Sequence, residues 1–292
     1  MELTDLERYG DTAQRSARVV IGSYSTSFSL ACKMLDRATS RHIANIYALV
    51  RLADEVVDGV AREAGLDAGQ VAAALDALEA ETEQGMQSGY STNLLVHAFS
   101  ATARSTGIGT ELTRPFFSSM RADLLRSEHD ASSLEEYIYG SAEVVGLMCL
   151  QVFRAMPGSQ QSHSPQAAAA ARSLGSAFQK VNFLRDLAAD SEQLGRNYFP
   201  GKAAQGFSEA QKSALVAEIQ ADLAVAESGI ALLPPGAARA VRMAHDLFAE
   251  LNRQLARTAA SELLTRRISV STPRKALIAV KTVLGTTSWS SK

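Results

Sequence analysis

The sequence predicts an all-α protein. Apolar residues recur at three- and four-residue steps through alanine-rich segments over nearly the whole chain, the spacing of helices that bury one face. Alternating runs of Val, Ile and Thr, which would mark strands, are nearly absent. No break between periodic segments has the length, Ser/Gly bias and flanking composition shift of an interdomain tether, so residues 1–292 read as one helical domain.

Along the chain, MELTDLERYG opens on acids without the apolar stretch of a signal peptide. No segment approaches the ~18 uninterrupted apolar residues that a membrane span needs. Secretion and spanning are therefore disfavoured, and a cytoplasmic location is expected. RHIANIYALVRLADEVVD, residues 41–58, reads as one helix, and SLGSAFQKVNFLRDLAAD, residues 173–190, as another. The run AAAAAR at 167–172 is strong helix-forming sequence that leads into the second of these. Punctuation falls at 59–65, 85–92, 127–133, 157–165, 194–206 and 234–236, all read as short loops.

Of 292 residues, 46% are hydrophobic and 21% charged, enough apolar material for a large core and too little for a bilayer protein. With 29 Lys+Arg against 31 Asp+Glu the net charge is −2, which gives no overall pull toward nucleic acid or anionic lipid. No nucleic-acid partner is expected. Cys32 and Cys149 lie in apolar stretches and read as buried free thiols in a reducing compartment. The five histidines, His42, His97, His129, His163 and His245, are scattered, belong to no Cys/His cluster and read as surface or capping residues, so zinc fits poorly.

Two acidic pairs carry the chemistry. In the first helix Ile43, Tyr47, Val50, Asp54 and Asp58 advance by threes and fours, which sets two carboxylates one turn apart at the end of an apolar stripe, with Arg51 one turn before them. In the second, Leu174, Phe178, Asn182, Asp186 and Asp190 advance by fours, with Arg185 adjacent and Gln179 one turn before Asn182. Neighbouring acids repel and call for a cation. A lone pair of this kind is most often a solvated helix face, but two helices that each offer paired hard oxygen ligands and an arginine make a clamp for Mg²⁺ and a polyphosphate.

At these residues the chain resembles the squalene and phytoene synthases, which join two prenyl diphosphates head to head. The likeness runs in order through most of the chain. YSTSFSLACKML at 24–35 is similar to the family's S-x-S-F segment, with Ser25, Ser27 and Phe28 in the matching positions. RLADEVVD at 51–58 resembles the first aspartate-rich motif, with Glu55 where a second Asp is common. YIYGSAEVVGLM at 137–148 is similar to the tyrosine-glycine segment and puts Tyr139 at the active-site tyrosine. QKVNFLRDLAAD at 179–190 matches the second acidic motif and is followed by GRNYFP, which contains Arg196 and Tyr198. RRISVSTPRKALI at 266–278 is a weaker echo in which Arg267 and Lys275 could reach a diphosphate. Phe248 stands where a tyrosine is common, and Tyr24 where His or Lys is frequent.

The resemblance implies an isoprenoid-synthase-type helical bundle with a central cavity. Asp54, Asp58, Asn182, Asp186 and Asp190 would hold Mg²⁺, for which Mn²⁺ could substitute. Ser25, Ser27, Phe28, Tyr47, Arg51, Phe178, Gln179, Arg185, Arg196, Tyr198, Arg267 and Lys275 would bind substrate, and Tyr139 and Asn182 would direct cations or proton loss. Loss of an allylic diphosphate leaves a carbocation, so the departing charge must be neutralised and water kept out. Phe28, Leu147, Met148, Leu174 and Phe178 are expected to line the dry half, a prenyl tunnel. The wording of 29–43 and 144–148 is most like bacterial phytoene synthases, which implies two geranylgeranyl diphosphates condensed through prephytoene diphosphate to phytoene, the first step of carotenoid biosynthesis. No nicotinamide cofactor is then expected. The alternatives are a C30 synthase making squalene, presqualene diphosphate or dehydrosqualene from farnesyl diphosphate, and a non-catalytic scaffold of the same fold. A hydrophobic product makes peripheral contact with the inner membrane face reasonable, although the sequence offers no clearly basic amphipathic helix.

Overall fold

The computed structural model describes residues 3–126, 129–187 and 207–285, and every regular element among them is a helix. In chain order these are α1 (Asp5–Tyr24), α2 (Thr26–Cys32), α3 (Arg37–Val57), α4 (Val60–Glu63), α5 (Ala68–Ser88), α6 (Leu94–Thr106), α7 (Thr110–Leu125) and α8 (Ala131–Ile138). They continue with α9 (Val144–Arg154), α10 (Pro165–Arg185), α11 (Glu209–Ile230), α12 (Pro235–Arg257), α13 (Ala260–Leu263) and α14 (Thr272–Leu284). Reciprocal capping boxes start four of them, at Thr4/Glu7, Asp67/Gln70, Asp130/Ser133 and Ser208/Gln211. The loop expected at 85–92 is shorter than the sequence suggests. Helix α5 runs through Ser88 and ends at the left-handed Gly89, while Gly85 is a packing residue whose missing side chain admits Ser100 of α6.

Two large hydrophobic cores and three smaller clusters result among the described residues. The first is built from α3, α5, α6, α7 and α9, around Ile46, Leu49, Leu75, Phe99, Phe116, Phe117 and Met148. The second is built from α10, α11 and α12, around Val181, Leu184, Ile219, Leu223 and Leu255. They meet where α10 packs on α9 and on the turn before it. That turn, Tyr139–Glu143, is a π-helical segment that makes 131–154 one long helix with an inserted residue, a device common beside functional sites.

The approach there is tight. A Cβ on Gly175 would collide with the Ala142 carbonyl, so α10 lies backbone against backbone on the π turn. Gly175→Val is expected to cost about 1–3 kcal/mol by overpacking, read as a lower thermal midpoint by circular dichroism. An unchanged midpoint would show that the two segments can separate freely.

The two stripes that carry the acids are not the core faces of their helices. On α3 the buried residues include Ala44, Ile46, Ala48, Leu49, Ala53 and Val57, whereas Ile43, Tyr47, Val50 and Asp54 are half-buried beside them. On α10 Ala177, Val181 and Leu184 are buried, whereas Leu174, Phe178, Asn182 and Asp186 are half-buried. Each helix therefore has one apolar face in a core and a second along the seam. No helix among the described residues is long and apolar enough to cross a membrane.

Candidate active site

The seam has an aromatic floor. Ser25 ends α1 and caps α2, accepting from the Phe28 amide at 3.1 Å, so the chain turns and Phe28 points inward. The Phe28 ring lies 6.1 Å from Tyr47 of α3, 5.7 Å from Phe178 of α10 and 5.8 Å from Phe248 of α12. Phe178 and Phe248 stack at 3.8 Å, so the residue at the usual tyrosine position completes the floor rather than offering a hydroxyl. The Ser25 hydroxyl reaches that of Tyr47, and Ser27 is half-buried on the same turn.

About two helical turns beyond Tyr47 and Phe178, some 10–12 Å at 1.5 Å per residue, each helix ends in acid. Asp58 is the exposed cap of α3, and Asp54 is half-buried one turn before it. Burial, with Asp58 alongside, pushes the Asp54 carboxyl up to about 8 against the pull of Arg51, and Asp123 and Glu55 add to the push. Arg51 does not pair with the two aspartates. Its Nε donates to Glu55 at 2.7 Å, and its guanidinium lies over the Tyr24 ring at 4.4 Å, so the residue that departs from the family's Asp serves as the arginine's anchor.

The second acidic end mirrors the first. Asp186 caps α10 and accepts from Arg185 Nε at 3.0 Å, while Arg267 Nε approaches it at 2.7 Å from the segment before α14. Lys275 Nζ donates to Thr26 Oγ1 at 2.8 Å, beside Ser25 and Ser27. The weak C-terminal echo is thus brought to the rim. Gln179 is half-buried on α10, and its neighbour Lys180 is tied to Asp222 at 2.9 Å, away from the acids. Asp190, Arg196 and Tyr198 lie outside the described residues.

Two residues not among the candidates join the first acidic end: Asp123, which lies in no motif, and Tyr137, which opens the tyrosine-glycine segment. Buried Asp123 of α7 accepts from the Tyr137 hydroxyl at 2.9 Å and stands close enough to Asp54 to raise it. The tyrosine with its hydroxyl turned toward the acids is therefore Tyr137. Tyr139, two residues on, is half-buried at the start of the π turn with Arg172 over its ring at 5.3 Å, and Arg172 is in turn paired with Glu143 at 2.7 Å. Asp123 is an isolated acid in the last turn of α7 and matches no motif.

Three other expectations change. Met148 is 1% exposed in the first core and lines nothing, whereas Leu147 is partly buried at that core's edge and Leu174 at the second's. The two thiols are free but only half-buried. Burial pushes both up to about 12, and Cys32 acts on Cys149 electrostatically, so the two lie near each other. Of the histidines, His97, His129 and His245 are buried rather than at the surface, held by Tyr9 at 4.9 Å, by Tyr137 at 5.0 Å and by Asp246 at 3.0 Å respectively. A surface groove lined by Arg126, Asp130, Ser132, Ser133 and Glu136 contains none of the residues singled out in the sequence.

Divalent metal suits these donors. The Asn182 Oδ1 is buried without a hydrogen-bond partner, and the charges of Asp58, Asp123 and Glu55 act together on the buried Asp54 carboxyl, so each end holds an oxygen that a cation would satisfy. Among the described residues no group of three or more His, Cys, Asp or Glu converges as a closed metal cage. Open acidic ledges of that kind fit Mg²⁺, which keeps waters and shares its shell with substrate phosphate.

Comparison with known proteins places this architecture. The chain is 31% identical over 183 residues to phytoene synthase 1 of Solanum lycopersicum, a match that covers 62% of this chain and 42% of that protein. It is 26% identical over 280 residues to the 15-cis-phytoene synthase of Enterobacter agglomerans, covering 88% and 90% of the two chains. The chain spans about half the length of the plant relatives it matches. A crystal structure of a dehydrosqualene synthase in complex with ligand is similar in fold, with TM-score 0.77 at 21% identity over 98% of this chain and 100% of that one. The family model for squalene/phytoene synthase matches residues 21–274, most of the chain, and the protein therefore belongs to the squalene/phytoene synthase family.

Proposed function

We propose that the protein condenses two geranylgeranyl diphosphates head to head, through prephytoene diphosphate, to the C40 hydrocarbon phytoene, with release of two diphosphates and a proton. The observation that carries this reading is the aromatic floor of Phe28, Tyr47, Phe178 and Phe248 with two arginine-flanked acidic helix ends about two turns above it. The floor excludes water and offers ring faces to a cation, and the rim handles the diphosphate. Arg51, Arg185, Arg267 and Lys275 are tied to Glu55, Asp186, Asp186 and Thr26. Each could exchange that partner for phosphate oxygens without a new charge being buried. Asp54, Asp58, Asn182, Asp186 and Asp190 would hold Mg²⁺, which when bound supplies Lewis-acid neutralisation of the leaving diphosphate. Tyr137 fixes Asp123 beside Asp54, and the Asn182 amide is free to steer a nearby cation.

The C40 length is supported by the names of the curated relatives, phytoene synthases, and by the small side chain of Cys32 one turn beyond Phe28. A C30 product from farnesyl diphosphate is the second reading, favoured by the fold match to a dehydrosqualene synthase. Incubation of purified protein with Mg²⁺ and either geranylgeranyl or farnesyl diphosphate, with and without NADPH, is expected to give phytoene from the C20 substrate independently of NADPH. Squalene or dehydrosqualene from farnesyl diphosphate as the main product would replace the reading.

The planar fork of arginine also has a measurable part. Arg51→Lys and Arg185→Lys keep the charge but lose bidentate geometry, and kcat/KM is expected to fall about tenfold or more in each. Unchanged kinetics in both would show that these residues only balance the neighbouring acids.

A further inference from the structure

Successive residues of the corner between α1 and α2 meet successive turns of α3. The Ser25 hydroxyl reaches that of Tyr47, and one residue earlier the Tyr24 ring lies under the Arg51 guanidinium, whose carbon is 4.4 Å from the ring centre. Tyr47 and Arg51 are four residues apart on one face of their helix. The corner itself is fixed. The Ser25 amide donates to the Ile21 carbonyl at 3.1 Å, the Ser25 hydroxyl accepts from the Phe28 amide at 3.1 Å, and Ile21 is buried. Tyr24, the last residue of α1, is 53% exposed, so its ring is held at the edge of the seam by the chain on either side of it rather than by a core.

Arg51 is thereby restrained from two directions. Its Nε donates to Glu55 Oε1 at 2.7 Å and its Nη2 bonds the same oxygen, which fixes one edge of the guanidinium. The Tyr24 ring covers a face and so fixes the plane. A competing position is close by, since Asp54 stands one turn along the same helix within range of the arginine's charge. An arginine free to swing would fold onto that carboxylate and take a phosphate donor and a metal ligand out of use together. Held as it is, Arg51 turns Nη1 and the outer N–H of Nη2 away from Glu55, and this open end has the forked shape that fits a phosphate.

We propose that Tyr24 is a positioning residue for Arg51: its ring face, acting with Glu55, holds the guanidinium off Asp54 and presents its open end to the diphosphate. The inference rests on the part in diphosphate binding proposed for Arg51, and inorganic pyrophosphate with Mg²⁺ tests it without turnover. In calorimetric titrations of the full chain, Tyr24→Ala is expected to bind pyrophosphate about five- to tenfold more weakly than the wild type. Tyr24→Phe keeps the ring and loses only the hydroxyl, and should recover most of that affinity. In an Arg51→Gln background Tyr24→Ala should add little, because the ring acts through the guanidinium. Circular dichroism checks the fold, and if Tyr24→Ala is misfolded, Tyr24→Leu carries the same expectation. Wild-type affinity in the folded ring-less variant, a Tyr24→Phe as weak as Tyr24→Ala, or a full further loss in the Arg51→Gln background would each overturn the proposal. A loss in Arg51→Gln with none in Tyr24→Ala would remove this inference alone. Wild-type affinity in Arg51→Gln, or no pyrophosphate binding by the wild type, would remove the proposed part of Arg51 as well.

Discussion

Asp54→Asn is expected to lower turnover about a hundredfold or more while leaving the metal-free protein at least as stable as the wild type. The two effects have opposite signs for one reason. Burial and the neighbouring Asp58 and Asp123 make an ionised Asp54 costly in the fold, as its rise to about 8 reports. Glu55 adds to the same repulsion. Neutralising Asp54 relieves that repulsion and removes a ligand for the cation that the leaving diphosphate requires. Thermal unfolding with and without Mg²⁺ gives a readout apart from activity: the wild type should gain stability on adding Mg²⁺, and the variant should gain less. Asp58→Ala, Asp186→Ala and Asp190→Ala should lose turnover similarly. Full activity in any two of these variants, or in excess chelator, would refute the clamp. A marked fall in the metal-free midpoint of Asp54→Asn would instead show the carboxylate to be a structural partner.

Cys32→Phe or Cys32→Trp is expected to move the product from C40 toward C30, the second large effect. Cys32 ends α2 one turn beyond Phe28, retains part of its surface and lies near Cys149, which borders the first core. On the proposed C40 reading, two small side chains there would be the place where the last isoprene units of a C20 chain are accommodated. An aromatic ring there would occupy that room and favour the shorter substrate. The competing outcome is simple overpacking, which would cost about 1–3 kcal/mol and lower both activities together. Competition between geranylgeranyl and farnesyl diphosphate separates the two. An unchanged C40 to C30 ratio in a folded variant would mean that Cys32 does not set chain length, and a wild-type preference for farnesyl diphosphate would sink the C40 reading itself.

Much of the helical layout is legible in the sequence because it rests on short-range rules. The three- and four-residue spacing gives α3 over 41–57 and most of α10, but α10 stops at Arg185 with Asp186 as its cap, so the single helix expected over 173–190 ends one turn early; the same spacing puts Asp54, Asp58 and Asp186 in line with an apolar stripe. Where local rules compete they mislead, as at Gly85, whose turn-like composition is overridden by its close approach to Ser100. The family motifs name Tyr139, but the rotation between adjacent helical residues and the inserted π residue decide which hydroxyl reaches Asp123, and it is that of Tyr137.

By itself, then, the sequence determined the all-helical class, the family, the acidic motifs and the aromatic residues Phe28, Tyr47 and Phe178, since periodicity, caps and motifs act within a few residues along the chain. Only the tertiary structure decided which of two apolar stripes on α3 and α10 enters a core and which is left along the seam, because burial depends on partners far away in sequence. The same long-range packing sent Met148 into the core and brought Asp123 to Asp54 and Arg267 to Asp186. No local pattern encodes these placements: each is fixed by what the other helices leave uncovered.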